Sequence, residues 1–191
     1  IVGLSAEGPG VALGTAQGVV KRVTNDQPAK RDWEAIVLKD GDSVVGAVDL
    51  VTGREDLVFV TSDAQLLHFP ASAVRPQGRV AGGMAGVRVD PGARVVFFGA
   101  VDPARDNVVV TSSGTSGALP GTQPGALKVT PFSEYPAKGR ATGGVRAHRF
   151  LKGEDTLVLA WVGATPARAS GAGGVALELP VADGRRDGSG S

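Results

Sequence analysis

The chain has 191 residues, 42% of them apolar, enough for one good core or one array of repeats. Its formal charge is +1 with basic residues spread along the length, which excludes a dedicated polycationic binder, so affinity for a polyanion must come from local clustering. Cysteine is absent, which excludes disulfides, thiolate zinc sites and cysteine nucleophiles and fits a reducing interior. No apolar run is long enough to span a bilayer as a helix. No secretory leader is expected, and the start at Ile1 suggests a piece cut from a longer protein.

Valine and glycine are abundant, and blocks of helix-forming Leu, Glu and Lys are missing, so strands are favoured throughout. Ile1 to Ser5 is a short apolar run closed by the turn cluster Ala6-Glu-Gly-Pro-Gly10. Gly14-Thr-Ala-Gln-Gly-Val-Val-Lys-Arg-Val23 reads as a hairpin turning at Gln17-Gly18. A polar loop runs from Thr24 to Asp32. Strands are expected at 33–38, 44–48, 57–61 and 66–69, with turns at Lys39-Asp-Gly-Asp42 and Ser62-Asp63-Ala64. Arg79 to Val89 leads into a further strand that Asp90-Pro-Gly92 turns, and 95–101 follows. Val108 to Thr111 opens the next hairpin. Ser112 to Pro124 is rich in Ser, Gly, Thr and Pro without periodicity and is expected to be a flexible insertion. Strands are expected again at 127–132, 145–150 and 156–162. The tail 182–191 is expected to fray.

These pieces repeat. Ile1-Val-Gly-Leu-Ser5 matches Val44-Val-Gly-Ala-Val48, Val96-Phe-Phe-Gly-Ala-Val101 and Val158-Leu-Ala-Trp-Val162. Arg79-Val-Ala-Gly-Gly83 matches Arg140-Ala-Thr-Gly-Gly144. The period is about 50 residues, rising to about 60 where the insertion falls. Each unit supplies about four short strands and cannot bury both faces alone, so neighbours must stack around an axis. The reading is all-β: a single propeller-like domain over 1–181, of about four four-stranded blades with units near 1–43, 44–94, 95–156 and 157–181.

The Thr15-x-x-Gly-x-x-Lys-Arg22 segment and the recurring "Gly-Arg-x-x-Gly-Gly" segments resemble the C-terminal domain of the A subunit of bacterial type IIA topoisomerases, gyrase and topoisomerase IV. The resemblance covers nearly the whole chain. It implies a β-pinwheel, a disc whose blades exchange strands, with a basic outer rim that bends or wraps duplex DNA and presents it to the cleavage core. It implies no catalysis by this domain. It further implies an ATP- and Mg²⁺-dependent parent that carries both in other domains. The implied partners are the remainder of the A subunit plus a B subunit, with no membrane, in a bacterial cytoplasmic, nucleoid-associated location. Gyrase A subunits carry a box of the form Gln-Arg-Arg-Gly-Gly-Lys-Gly. Here Gln77-Gly-Arg-Val-Ala-Gly-Gly83 and Lys138-Gly-Arg-Ala-Thr-Gly-Gly144 keep one arginine and the glycine pair, without the basic doublet or the closing lysine. That looks more like topoisomerase IV or a gyrase-like relative.

On this resemblance, the rim residues are Lys21, Arg22, Lys30, Arg31, Arg75, Arg79, Lys128, Lys138, Arg140, Arg146 and Arg149, which fall at equivalent places in successive units. Arginine outnumbers lysine 14 to 6, which suits bidentate contacts to phosphate. The same residues could be solvated charges balanced by the 19 acids. The glycine pairs could cradle phosphate through bare N–H groups or serve as turns needing positive φ. His68 and His148 read as ordinary strand residues, and Asp40, Asp42 and Asp155 as turn residues without the spacing of a calcium loop. No metal site and no nucleophile–base pair is found. Tyr135 lies in a loop, and the family's cleaving tyrosine belongs to another domain. A propeller-like scaffold for protein partners is the alternative reading.

Overall fold

A computed structural model describes residues 8–24, 32–118, 125–171 and 173–191. All regular structure among them is strand, apart from two 3₁₀ turns at Ala71–Ala73 and Phe132–Glu134. The strands are β1 Val11–Thr15, β2 Val19–Val23, β3 Val44–Asp49, β4 Asp56–Thr61, β5 Gln65–Pro70, β6 Pro76–Gln77, β7 Met84–Ala85, β8 Val95–Val101, β9 Asn107–Gly114, β10 Leu127–Pro131, β11 Val145–Arg146, β12 Thr156–Ala164, β13 Ala169–Ser170 and β14 Ala176–Leu177.

Three sheets share one plan. The hairpin β1–β2 takes β3 on one edge and β6 and β7 on the other. The hairpin β4–β5 takes β8 and β11 in the same places. The hairpin β9–β10 takes β12, and its free edge is met by the tail: the Leu127 N–H donates to the Ser191 carbonyl, the Ser191 N–H to Leu127, and the Asp183 N–H to Val129. The tail is therefore held along β10 rather than frayed, because β10 would otherwise carry an open row of backbone donors and acceptors. The fourth unit contributes the short pair β13–β14.

The outer strand of every sheet thus comes from the chain that follows the next hairpin. β8 packs against β3 on one side and β12 on the other, so these three strands are inner and the exchanged segments are outer. Strong alternation fixes the stack. Leu57 and Phe59 of β4 point into one core with Leu50, Phe69 and Phe98. Val58 and Val60 point into the other with Val101, Val109 and Leu157. All six residues of β4 are buried, the expected state of a strand covered on both faces. Gly14 has no side chain because Phe98 lies there: a Cβ would sit 2.2 Å from the ring.

Residues 33–38 are irregular rather than a strand. They correspond to the exchanged segments at β7 and β11, and no hairpin among the described residues offers them an edge. The strand expected at 145–150 shortens to β11, since His148 turns inward to meet Thr111. The run at Ile1–Ser5 lies outside the described residues.

Candidate nucleic-acid interface

In the first and third sheets the exchanged segment is locked to its hairpin by a buried lysine of β2 or β10. Strand register makes Lys21, Leu67 and Lys128 equivalent, each one residue past the pair facing the bulged end of the hairpin. Lys21 is fully buried. Its ammonium donates to the carbonyls of Ala35, Arg79 and Ala81 at 2.7, 2.8 and 2.6 Å. Lys128 repeats this with Ala147, Arg186 and Gly188 at 2.9, 2.5 and 3.1 Å. Burial pushes the Lys21 ammonium below its ordinary pKa against the pull of Glu34. It brings Lys128 down to about 8, against the attraction of Asp183 and Asp187.

The second sheet has leucine at this place and solves the same problem with its backbone. Ala141 adopts φ 68°, and its N–H reaches the Gly86 carbonyl at 2.7 Å. Gly86 corresponds to Ala35 and Ala147, whose carbonyls the lysines satisfy. One step along, Arg22 donates to the carbonyls of Ala71, Val74 and Pro9. His68 takes its place in the second sheet, 2.9 Å from the Tyr135 carbonyl and 2.8 Å from Asp56.

Lys21 and Lys128 are therefore not rim contacts, contrary to the expectation from their positions in the repeats: their ammoniums are buried among carbonyls inside the sheets. Arg22 is half-buried, with its guanidinium on three carbonyls. Lys30 and Arg31 lie outside the described residues. Arg75, Arg79, Lys138, Arg146 and Arg149 are exposed, on or beside the exchanged outer segments. Arg140 is half-buried and donates to the Ala85 carbonyl, so it ties two neighbouring outer segments together. Arg88 is an addition that its sequence context does not announce. It is exposed and sits over Gly143, and its N–H donates to the Thr142 carbonyl at 3.0 Å. None of these exposed cations pairs with a carboxylate among the described residues, where the recorded ion pair is His68–Asp56.

His148 is buried and neutral. Its Nε2 accepts the Gly190 N–H at 3.3 Å, so the proton sits on Nδ1, which donates to the Thr111 hydroxyl at 2.9 Å. Burial and the nearby Lys128 charge bring its pKa down to about 4. Tyr135 is a core residue against Phe132. No group of three potential metal ligands occurs among the described residues. No helix there is long and apolar enough to cross a membrane.

Inner strands about an axis, with outer strands borrowed from the next unit, define a strand-exchanged propeller of the pinwheel type. The family model described as the DNA gyrase C-terminal domain, beta-propeller, matches residues 55–102 and 122–160. The A subunit of Escherichia coli DNA gyrase is 34% identical over 142 residues, 73% of this chain and 15% of that protein. Its counterpart in Staphylococcus epidermidis is 31% identical over 159 residues, 81% of this chain and 17% of that protein. In three dimensions the crystallised C-terminal domain of DNA topoisomerase IV matches with a TM-score of 0.76 at 22% identity, over 98% of this chain and 58% of that one. The DNA gyrase A C-terminal domain matches with a TM-score of 0.62 at 21% identity, over 79% and 47%. The chain belongs to the family of DNA gyrase C-terminal beta-propeller domains. It spans less than a fifth of the length of the gyrase subunits it matches. Its similarity by sequence is to gyrase, and its likeness to topoisomerase IV is one of fold.

Proposed function

We propose that the chain binds duplex DNA along its outer edge without reading sequence, bends it, and presents it to the cleavage core of a type II topoisomerase. The observation that supports this is the row of unpaired cations on the exchanged segments. Exposed cations without carboxylate partners are free to displace counterions from phosphates, the main source of non-specific affinity. No recognition helix exists among the described residues to enter a groove. In this reading the domain holds no cofactor and catalyses nothing. ATP and Mg²⁺ act elsewhere in the parent, whose other partners are the rest of the A subunit plus a B subunit, in a bacterial nucleoid. Whether the parent supercoils or decatenates would follow from how tightly the duplex wraps.

The test is the salt dependence of duplex binding. Arg75→Gln, Arg79→Gln and Arg146→Gln together are expected to weaken binding at least tenfold at moderate salt and to flatten the log–log salt slope by two to three, since each phosphate contact contributes about 0.9. A wild-type chain that fails to shift duplex DNA at low ionic strength would sink the proposal. So would a triple variant of undiminished affinity.

A scaffold role has one observation in its favour: Val158, Leu159 and Trp161 are exposed together on β12. A protein docked there would protect Trp161 from fluorescence quenching whether or not the rim cations are present.

A further inference from the structure

We propose that the joint between the first two exchanged segments is a seat for one backbone phosphate of the bound duplex. The proposal rests on the DNA reading above and assigns that interface a specific pocket. At this joint the Ala141 N–H bonds to Gly86 and the Arg88 N–H bonds to Thr142, so two successive outer segments are zipped side by side. Beside the zipper lies a hollow of about 450 Å³ whose walls include Arg88, Lys138, Gly143, Gly144, Asp63 and Asp90. Arg88 and Lys138 bring two cations to it, and neither pairs with a carboxylate among the described residues. The Lys138 ammonium reaches the Gly144 carbonyl at 3.3 Å, and the Arg88 guanidinium lies over Gly143. The two cations therefore flank one Gly–Gly peptide. Neither glycine's N–H is taken up by a backbone acceptor among the described residues. A fork of donors, a point charge and bare backbone N–H groups are the components from which proteins build phosphate sites.

The glycine pair divides the work. Gly144 has φ 77°, and a Cβ there would come within 2.3 Å of the Leu66 carbonyl, so its glycine is demanded by the backbone. Gly143 has no such φ. What its missing side chain leaves room for is the Arg88 guanidinium, 3.1 Å from where a Cβ would be. The backbone bond of the joint recurs at the next one, where the Arg149 N–H donates to the Gly188 carbonyl. Arg149 stands there in Arg88's place and Ser189 in that of Gly143. At the preceding joint Val37 stands in the arginine's place, with its carbonyl 3.3 Å from the Cβ position of Gly82. The arginine is thus a feature added to some joints rather than part of the fold.

Asp63 and Asp90 bring two carboxylates to the same walls. The Asp63 carboxylate accepts the Thr61 hydroxyl at 2.5 Å and is tied down, whereas Asp90 is exposed at the hollow's edge. Asp90 opposes an anion without filling its place.

The experiment measures duplex binding by the chain over a range of salt. Arg88→Gln with Lys138→Gln is expected to weaken binding roughly five- to tenfold at moderate salt and to flatten the slope by about one, the value of one phosphate. Gly143→Ser keeps the charge constant and displaces only the end of Arg88. It is expected to weaken binding several-fold with an unchanged unfolding midpoint. Asp90→Asn is expected to strengthen binding roughly two- to threefold by removing a like charge. If the wild type binds but the double variant and Gly143→Ser bind as tightly with the same slope, the seat is wrong and the rim reading stands. If the wild type itself does not bind, the rim reading falls and takes the seat with it. Amide signals of Gly143 and Gly144 give a readout without DNA: titration with inorganic phosphate should shift both in the wild type and neither in Arg88→Gln. Equal shifts in the two proteins would overturn the role given to Arg88.

Discussion

Lys21→Met is expected to lower the stability of the chain by about 3 kcal/mol while leaving the salt slope of DNA binding unchanged. Methionine keeps the length and bulk of the side chain, so little cavity opens. What is lost is the partner of three carbonyls, those of Ala35, Arg79 and Ala81. Each unpaired buried acceptor costs about 1 kcal/mol or more. For a chain of this size the loss corresponds to a fall in melting temperature of roughly 10 °C. Differential scanning calorimetry checks the first half of the prediction, and a salt titration of duplex binding checks the second. A Lys21→Met protein of undiminished stability with a flattened slope would mean that the lysine reaches DNA after all. The second sheet shows why the loss is not inevitable in principle: with Leu67 at the same place, Ala141 bends into the left-handed region and its N–H takes the Gly86 carbonyl. The first sheet has no such bend among its described residues, so it has no substitute donor there.

Acid should loosen the third sheet before the others. His148 holds its neutral form down to about pH 4, against an ordinary 6.5. Between those values the unfolded chain binds a proton that the folded chain refuses, so stability is complete above 6.5 and falls as the pH drops towards 4. The full shift is worth at most about 3 kcal/mol. Protonation of Nε2 would also remove the acceptor of the Gly190 N–H and set a second cation beside Lys128, so the tail should leave β10 first. The protection factor of the Gly190 amide is expected to fall in this window ahead of those of the β4 amides. His148→Gln should remove most of the loss. Burial pushes the Glu55 and Glu154 carboxyls up, yet hydrogen bonds from backbone N–H groups hold both below the ordinary 4.5. Their contribution to acid lability therefore falls at lower pH, and an unfolding midpoint that stays flat from 6.5 down to 4.5 would contradict the role given to His148.

The hairpins were legible because alternation and turn chemistry are local. Val58 and Val60 against Leu57 and Phe59, or Gln17-Gly18 between the runs Val11–Thr15 and Val19–Val23, speak for themselves. The exchanged strands were legible only in part. β11 falls inside the strand expected at 145–150, but β6 and β7 are two residues each with partners in another unit, so neither periodicity nor propensity fixes their bounds. The buried lysines were misread for a related reason. A lysine is almost always exposed unless paired, and its partners here are carbonyls contributed by distant loops. One signal did exist: Leu67 occupies the matching place in the second unit, and an apolar echo at a repeat position marks an inward-facing site. Arg88 escaped notice because it is isolated in sequence, and only the fold brings it to Lys138 and the glycine pair.

The borrowed outer strands also set an order on synthesis. When the ribosome has made β1 and β2, the β2 edge of that hairpin has nothing to pair with until Pro76 emerges. The second hairpin waits for Lys138 and the third for Asp183. Each unit is thus completed by its successor, and cutting the chain within one unit leaves an open edge on the unit before it. A nascent chain stalled between units would expose just such an edge, so the safest places to shorten or lengthen the disc are ones that move a hairpin together with the segment its predecessor borrows.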